Sequence, residues 1–514
     1  MRIYELDCSS STKPLEHYWE LCVGSCHGTT ALREDYRKQL EKCHKELGFK
    51  YVRFHGLFDD DMSVLTGKNA LMQRERSDQE FTLSFTNIDS IFDFLLSIGM
   101  KPFIELGFMP KALTSGTCTI FHYEGHTSPP DDYGKWQWFI EQFASHCVER
   151  YGLDEVRQWF FEVWNEPNLG GRKAHMGFWG GSQEDYFKLY EAAARGVKAV
   201  DHLLRVGGPA TAMNAWVPEL IQYCRDRDVP LDFITTHHYP GDAAYGDDGA
   251  NIFSFSGEDT PERRAEMMKA FMMSEEQKWQ KVPRGVVTKW TKKVREEAGN
   301  LPVYYTEWNS GAGIQSDGPF GASFIAKTCL DNHGLVQGYS YWTFTDIFEE
   351  GGMPHTPFHG GFGLLNLQGI PKATYRAFQL LHKLGSELYN HKYSEGTLDI
   401  YSVKKPESGC VQILVVNHQS LHQEIAPEEV EIRVDNLPGF VKATVERVDN
   451  EHGNALRRWR ELGEPDYPSD AIIYDLMASS YTKAEPVAAN YDGSSARLSL
   501  TVPEQGIALV TIYY

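Results

Sequence analysis

The chain lacks the sequence features of membrane proteins and of nucleic-acid-binding proteins. No apolar run reaches the roughly 18 residues of a transmembrane helix, so no membrane span is predicted in the 514 residues. Lysine and arginine total 50 against 71 acidic residues, and the net charge of −21 disfavours nucleic acid and anionic membranes as partners. The opening residues contain no apolar run of the length that a signal peptide needs.

Signatures of disulfide frameworks, metals and cofactors are also missing. The nine cysteines are an odd number without framework spacing, and we interpret all of them as reduced thiols. Cys22, Cys26 and His27 are close together, but no second ligand pair follows at zinc-site spacing. We therefore expect no metal and no cofactor. Reduced thiols without a signal peptide predict a cytoplasmic protein, and the sequence leaves the oligomeric state open, a homo-oligomer included.

What the chain does contain is a series of apolar runs followed by amphipathic segments. Continuous apolar strands that alternate with helices predict a parallel sheet covered on both faces, and eight of them fit a (β/α)8 TIM barrel. In Tyr36–Leu47 and Trp136–Tyr151, apolar residues recur every three or four positions, as in amphipathic helices. The predicted strands are Tyr18–Val23, Tyr51–Phe54, Pro102–Leu106, Trp159–Val163, Arg205–Gly207, Phe233–His237, Val303–Thr306 and Tyr339–Phe344.

Strand-like alternation replaces the helical pattern after residue 385. Short runs separated by turn residues predict a C-terminal β-sandwich. We therefore expect three parts: an extended segment at 1–13 that pairs with the sandwich, a catalytic barrel at 14–385, and an accessory sandwich at 386–514. The predicted sandwich strands are Thr397–Val403, Gly409–Val416, Val430–Val434, Ala443–Val448, Arg497–Val502 and Ala508–Tyr513. The long segment 241–300 between strands six and seven is expected to shape the active site or to form a peripheral lid.

Two glutamates end buried apolar runs with no other acid beside them. They are Glu166, within Trp164–Pro167, and Glu307, within Tyr304–Asn309. A buried, isolated carboxyl is unfavourable unless the site uses it. In a barrel, residues at the carboxyl ends of strands four and seven can face each other across the mouth. Two such carboxyls suit retaining glycoside hydrolysis, which needs a proton donor and a nucleophile.

Other strand ends carry groups that could bind a sugar. Asn165 is placed to bond a sugar 2-hydroxyl, and His237 and Tyr239 alternate to one side of strand six. Tyr239 is expected to donate to Glu307 and keep its pKa low. His55 could bind hydroxyl groups and Trp342 could form a stacking floor, although a buried core histidine or tryptophan would give the same pattern. Glu349 and Glu350 follow on the loop after strand eight.

Seven motifs follow one another in order along residues 17–385. They are found in His17–Ser25, Tyr51–Leu57, Glu105–Pro110, Trp164–Asn168, Tyr305–Trp308, Tyr341–Asp346 and Phe362–Leu364. This ordered set resembles glycoside hydrolase family 39, and in particular its bacterial β-xylosidases. The stretches Phe58–Asp61 and Phe121–Tyr123 depart from the usual family pattern, which affects the choice of sugar more than the chemistry.

The resemblance implies a retaining, exo-acting glycosidase that works through a glycosyl-enzyme. The expected product is D-xylose, released from the non-reducing end of β-1,4-xylo-oligosaccharides. The resemblance further implies that Glu166 is the acid/base and Glu307 the nucleophile. It implies a −1 sugar site lined by His55, Asn165, His237, Tyr239, Trp342, Glu349 and Glu350.

Other functions on the same scaffold remain open at this stage. An α-L-iduronidase would favour arginine or lysine in the pocket, to bind the uronate carboxylate. The strand ends offer mainly acids, histidines and aromatics, and Arg53 is interpreted as barrel structure, so an iduronidase or arabinosidase ranks second. A non-catalytic carbohydrate-binding protein would be favoured by loss of either glutamate, and both are present. An added scaffolding role for the sandwich is not excluded.

Overall fold

Eight parallel strands close into a barrel, and two further sheets form a sandwich beside it. The computed structural model describes residues 1–67, 80–170, 177–246, 265, 268–270 and 272–514. The strands in these residues are β1 (Arg2–Asp7), β2 (Thr12–Pro14), β3 (Cys22–His27), β4 (Tyr51–His55), β5 (Leu65–Gly67), β6 (Phe81–Leu83), β7 (Lys101–Leu106), β8 (Thr119–Ile120), β9 (Gly125–His126), β10 (Phe160–Val163), β11 (Arg205–Ala212), β12 (Phe233–His238), β13 (Val303–Trp308), β14 (Gly338–Tyr341), β15 (Glu387–Glu395), β16 (Leu398–Lys405), β17 (Cys410–Asn417), β18 (Glu428–Asp435), β19 (Lys442–Val448), β20 (Glu485–Pro486), β21 (Asn490–Tyr491), β22 (Ala496–Val502) and β23 (Ile507–Tyr513).

The helices mostly cover the outside of the barrel. They are α1 (Glu34–Leu47), α2 (Thr86–Ser97), α3 (Tyr133–Tyr151), α4 (Leu153–Val156), α5 (Gln183–Val200), α6 (Val217–Arg227), α7 (Glu275–Trp279), α8 (Val286–Glu297), α9 (Pro319–Asp331), α10 (Ala373–His382), α11 (Ala455–Glu461) and α12 (Asp470–Ser479). Short 3-10 helices lie at Tyr18–Glu20, Gly28–Leu32, Asp60–Met62, Pro240–Tyr245, Ile314–Asp317 and Pro406–Ser408. No helix in the described part of the chain is long and apolar enough to cross a membrane.

The barrel confirms the predicted (β/α)8 fold. Its strands run in the order β10-β11-β12-β13-β14-β3-β4-β7, and each predicted run overlaps one of them. The first predicted strand, Tyr18–Val23, begins too early. Tyr18–Glu20 forms a buried 3-10 helix, and β3 begins only at Cys22. That apolar run therefore reflects burial below the barrel rather than a strand. Gly24 of β3 leaves space for an aromatic ring, since a Cβ there would lie 2.4 Å from Cε3 of Trp342.

The barrel interior changes character from one end to the other. At the amino-terminal ends of the strands, the rings of Phe103, Phe160, Phe233 and Tyr304 pack against one another. A charged layer centred on Arg53 lies inside the barrel, with buried carboxyls around the guanidinium. The carboxyl ends of the strands carry most of the residues predicted for the sugar site. These four rings therefore fill the amino-terminal end of the barrel, and the polar groups of the predicted site lie at the carboxyl end.

The sandwich has one sheet of order β1-β18-β22-β21 and another of order β2-β15-β16-β17-β23-β19-β20. Each of the six predicted sandwich strands is present. Strand β1 pairs in parallel with β18, and β2 pairs antiparallel with β15, so residues 2–14 belong to these sheets. Helices α11 and α12 interrupt the strands and were not predicted. Of the predicted active-site segment 241–300, residues 247–264, 266, 267 and 271 lie outside the described residues.

Candidate active site

Glu166 and Glu307 are both buried at the carboxyl end of the barrel. Glu307 is part of β13, and Glu166 follows β10 after a sharp turn in which Trp164 and Glu166 have φ values of 73° and 42°. Positive φ is strained for residues other than glycine and is concentrated at functional sites. The turn is held by the backbone N–H of Glu166, which donates to the carbonyl of Ala210 over 2.8 Å. The side chain is thereby aimed across the barrel mouth.

The two carboxyls lie close together. One carboxylate oxygen of Glu166 and one of Glu307 lie within 4.8 Å of each other, and a ring nitrogen of His237 lies within the same distance of both. Retaining glycosidases place their two carboxyls about 5–5.5 Å apart, and inverting enzymes about 6.5–9.5 Å. The separation lies below the range of inverting enzymes and suits direct attack by one of the carboxyls.

Glu307 is bonded on both oxygens. Arg53 Nη1 donates to Oε1 over 2.8 Å, and the Tyr239 hydroxyl donates to Oε2 over 2.7 Å. These bonds hold the carboxylate in one orientation and stabilise its ionised form. A glutamate, a histidine and a second glutamate at this spacing would also suit a cation. The Arg53 guanidinium already supplies the positive charge beside Glu307, so a metal here would be repelled.

Burial raises the pKa of both carboxyls, but to different extents. Burial and the neighbouring charge of Glu307 hold the pKa of Glu166 well above its usual value. Burial also raises the pKa of Glu307, where Arg53, His55 and the Tyr239 hydrogen bond oppose it. The expected low pKa of Glu307 is therefore wrong in direction, because loss of hydration outweighs the donors. The pKa of Glu166 is still raised further than that of Glu307, which is the order that a proton donor and a nucleophile need.

His237 and Asn165 lie directly beside the pair. His237 Nδ1 is 3.1 Å from Glu166 Oε1, and burial keeps the pKa of the imidazole well below its usual value. The Asn165 side-chain oxygen accepts from Arg53 Nη2 over 2.9 Å, whereas its buried Nδ2 has no partner. A buried amide donor without a partner is unfavourable unless a ligand accepts from it. Asn165 Nδ2 is thus available for a sugar hydroxyl.

His55 and Trp342 lie side by side near the two carboxyls. Their ring centroids are 4.6 Å apart, and His55 Nδ1 lies 2.7 Å from Glu105 Oε2. Burial lowers the pKa of His55 to about 3, so the ring is neutral near neutral pH. Its Nε2 lies 3.7 Å from Oε1 of Glu307 and 3.7 Å from Oε1 of Glu350. A neutral imidazole beside an indole face suits the mixed polar and apolar surface of a sugar.

The structure separates the two glutamates of the loop after β14. Glu350 lies near His55, and burial together with the charge of Glu307 raises its pKa well above the usual range. Glu349 is turned toward His27 and His122, with its oxygens 3.4 Å and 3.9 Å from their ring nitrogens. Glu350 therefore lies near the pair of buried carboxyls, whereas Glu349 faces His27 and His122.

Sequence reasoning missed the charged layer beneath the pair. Arg53 was interpreted as barrel structure, yet it contacts Glu307 and Asn165 directly. Glu105 and Glu162 also lie within hydrogen-bond distance of its guanidinium. A usable signal was present, because each of these charged residues interrupts a buried apolar strand, where an unpaired charge is very unfavourable.

The fold and the site together define a class of protein. A (β/α)8 barrel with a close pair of buried carboxyls at the carboxyl ends of its strands, one of them bonded to an arginine, is the architecture of a glycoside hydrolase. Residues 2–496 match the family described as Glycosyl hydrolases family 39. The chain belongs to this family.

Curated relatives and solved structures agree with this assignment. The chain is 45% identical to a β-xylosidase of Caldicellulosiruptor saccharolyticus over 97% of its own length and 96% of that protein. It is 35% identical to a β-xylosidase of Geobacillus stearothermophilus over 92% and 88% of the two chains. The crystal structure of a monomeric β-xylosidase from Caulobacter crescentus CB15 superimposes with a TM-score of 0.81 and 31% identity, covering 100% and 99% of the two chains.

Proposed function

We propose that this protein is a retaining, exo-acting β-xylosidase that releases D-xylose from the non-reducing end of short β-1,4-xylo-oligosaccharides. The observation that carries the proposal is the pair of buried carboxyls, whose nearest oxygens lie within 4.8 Å. This spacing favours attack by a carboxylate on the anomeric carbon over attack by an activated water.

The proposed reaction has two steps. Glu307 Oε1 or Oε2 bonds to the anomeric carbon while Glu166 gives its proton to the leaving oxygen. Glu166, now a carboxylate, then takes a proton from water, and the oxygen of that water displaces Glu307 to release the sugar. The first step removes the negative charge of Glu307, so the pKa of Glu166 falls when it must act as a base. Arg53 and Tyr239 hold Glu307 in place for both displacements.

Xylose is favoured by the 45% identical relative, a β-xylosidase. Among the described residues, the site offers little that would bind a uronate. Arg53 lies beside the carboxyl pair, but its guanidinium already contacts Glu162, Glu307 and Asn165. An α-L-iduronidase needs a cation free to pair with the substrate carboxylate. Iduronidase and arabinosidase activities are therefore the competing outcomes of the substrate test.

A panel of aryl glycosides tests the choice of sugar. We expect the β-D-xyloside to have a kcat/KM at least about tenfold above that of the α-L-arabinoside, β-D-glucoside and β-D-galactoside, since the wrong substituent on the ring is typically discriminated by 1–3 kcal/mol. The α-L-iduronide should give no turnover above the Glu307→Ala variant. Faster turnover of the iduronide or the arabinoside would replace the proposed substrate while leaving the class of enzyme unchanged.

A time course on xylotetraose tests the exo mode. The turn after β8 contacts the loop after β14, where the His122 N–H donates to the Glu350 carbonyl over 3.4 Å. We expect these loops to limit the site to one chain end, as the family resemblance implies, so xylose and xylotriose should appear together from the first minutes. Chromatography of the early products provides the measurement. Xylobiose formed ahead of xylose would indicate an open cleft and internal cleavage.

A further inference from the structure

Strand β13 departs from regular pairing directly before Glu307. Thr236 pairs with Tyr305 and His237 pairs with Glu307, so Thr306 is the additional residue of a β-bulge. In a regular strand, consecutive side chains point to opposite faces. Here Thr306 Oγ1 lies 3.1 Å from His237 Nε2 and Glu307 Oε2 lies 3.6 Å from His237 Nδ1. The bulge thus brings two consecutive side chains to one imidazole, as bulges near active sites often do.

The hydroxyl of Thr306 is fixed from below. Thr306 Oγ1 donates to Glu162 Oε1 over 2.7 Å, and Arg53 Nε donates to the other oxygen of Glu162. Burial raises the pKa of Glu162, whereas Arg53 and the Thr306 hydrogen bond oppose this and favour the ionised form. An ionised carboxylate can only accept, so the single hydroxyl hydrogen of Thr306 is then committed to Glu162. A lone pair of the hydroxyl then faces His237 Nε2, which must carry the hydrogen of that contact. All four side chains are buried, so water cannot replace these partners.

We propose that Thr306, anchored by Glu162, fixes His237 in the tautomer with hydrogen on Nε2 and thereby keeps the proton of Glu166 in place. The unprotonated Nδ1 of His237 lies 3.1 Å from Glu166 Oε1 and accepts the hydrogen of that carboxyl. Thr306 is a positioning residue that acts through His237. The inference rests on the acid/base role of Glu166 proposed above. It adds that Thr306, through His237, controls the protonation of Glu166.

One tautomer serves both steps of the reaction. Before the first displacement, the Nδ1 lone pair of His237 stabilises the protonated carboxyl of Glu166. In the glycosyl-enzyme the same lone pair faces the Glu166 carboxylate and destabilises it, so the carboxylate is a stronger base toward water. The other tautomer would donate from Nδ1 to the carboxylate, lower the pKa of Glu166 and weaken both roles.

The other charges around these two side chains do not depend on Thr306. Glu307, Asp242 and Glu350 raise the pKa of Glu166, and the positive charge of Arg53 lowers it. Burial, Arg53 and His55 lower the pKa of His237. The hydroxyl of Tyr239 is bonded to Glu307 rather than to Glu166. A substitution that removes only the Thr306 hydroxyl therefore changes the partners of His237 and Glu162 and leaves the charged groups around Glu166 in place.

Thr306→Val removes the hydroxyl and retains the shape of the side chain. Without the acceptor at Nε2, His237 can shift its hydrogen to Nδ1 and donate to Glu166. We expect the alkaline limb of the kcat/KM profile on xylobiose to move down by about one pH unit while the acid limb stays in place. Reactivation of the enzyme trapped with a 2-deoxy-2-fluoro xyloside should likewise begin to rise at lower pH, since it requires ionised Glu166.

Two conservative variants provide the controls. Thr306→Ser retains the hydroxyl and should restore the wild-type alkaline limb. Thr236→Val removes another buried hydroxyl from the adjacent strand, where Oγ1 donates to the Thr211 carbonyl over 3.0 Å, and should leave the profile unchanged. A shift in Thr236→Val equal to that in Thr306→Val would indicate a general loss of packing and overturn the inference.

A further variant separates failure of this inference from failure of the proposed mechanism. Glu166→Gln, assayed on an aryl xyloside with a good leaving group, should lose the alkaline limb altogether. If the limb survives there, Glu166 is not the acid. If the limb is lost there but folded Thr306→Val retains a wild-type limb, the tautomer proposal is wrong. Should Thr306→Val fail to fold, Thr306→Ala is measured in the same way, and a wild-type limb in that variant has the same meaning.

Discussion

Glu307→Ala is expected to abolish turnover, with kcat/KM falling on the order of 10⁵-fold or more on every glycoside. The loss should be this large because the residue forms the covalent bond to the sugar, and removal of a covalent nucleophile leaves only binding and electrostatic effects. A good leaving group should not rescue the variant, since departure of the aglycone does not replace the missing nucleophile. Steady-state kinetics on xylobiose and on a dinitrophenyl xyloside give both values.

Labelling identifies the nucleophile independently of kinetics. A 2-deoxy-2-fluoro xyloside with a good leaving group should inactivate the wild-type enzyme, and peptide mass spectrometry should find the added sugar on Glu307. Glu20→Ala is a matched control, because Glu20 is another buried glutamate that precedes β3 at the opposite end of the barrel and bonds to His17 and His382. That variant should lose stability but retain labelling. A sugar found on any other residue would refute the assignment.

Glu166→Ala is expected to lose activity in proportion to the substrate's need for a proton. Xylobiose has a poor leaving group, so general acid catalysis should be worth about 10²–10⁴-fold in kcat/KM. A dinitrophenolate leaves without a proton, and kcat/KM on the dinitrophenyl xyloside should fall by less than about tenfold. With the activated substrate, the glycosyl-enzyme should accumulate because its hydrolysis lacks the base.

The product formed with azide gives a second test of the acid/base role of Glu166. A small anion fits the space left by the carboxyl and needs no general base to attack the glycosyl-enzyme. Added azide should raise kcat of Glu166→Ala on the dinitrophenyl xyloside and yield the β-xylosyl azide, whose configuration nuclear magnetic resonance can establish. Wild-type enzyme should form none. Equal losses on both substrates, or an α-configured azide, would contradict the assignment of Glu166.

The barrel could be predicted because its strands are buried on both faces and read as continuous apolar runs. The first run was the exception: Tyr18 and Trp19 are apolar because they pack beneath the barrel, and periodicity does not distinguish that from a strand. Helices α11 and α12 were missed for a related reason. They pack through Leu456, Trp459 and Leu476 against Phe358 and Ile370 of the loop after β14, a contact between distant segments that local pattern does not contain.

The part of the site that single residues mark in the sequence could be predicted. Glu166 and Glu307 are isolated acids at strand ends, and that signal is local. The roles of Arg53 and Thr306 depend on which residues face each other across the barrel, and the sequence does not show this. The β-bulge at Thr306 also breaks the regular alternation of side chains between the two faces of the strand, on which a prediction from sequence relies. The direction of the Glu307 pKa shift was misjudged because donors can be guessed from sequence, whereas the extent of burial that opposes them cannot.

The pairing of β1 with β18 has a consequence for biosynthesis. Arg2 is opposite Val430, so at a translation rate of roughly 5–20 residues per second the ribosome needs about 20–90 s to deliver the partner. All eight barrel strands, from Cys22 to Tyr341, emerge during that interval. Residues 2–14 therefore lack their strand partners β15 and β18 throughout that interval. We expect a nascent chain stalled before β15 to expose these unpaired strand edges, the kind of surface that makes incomplete chains prone to aggregation.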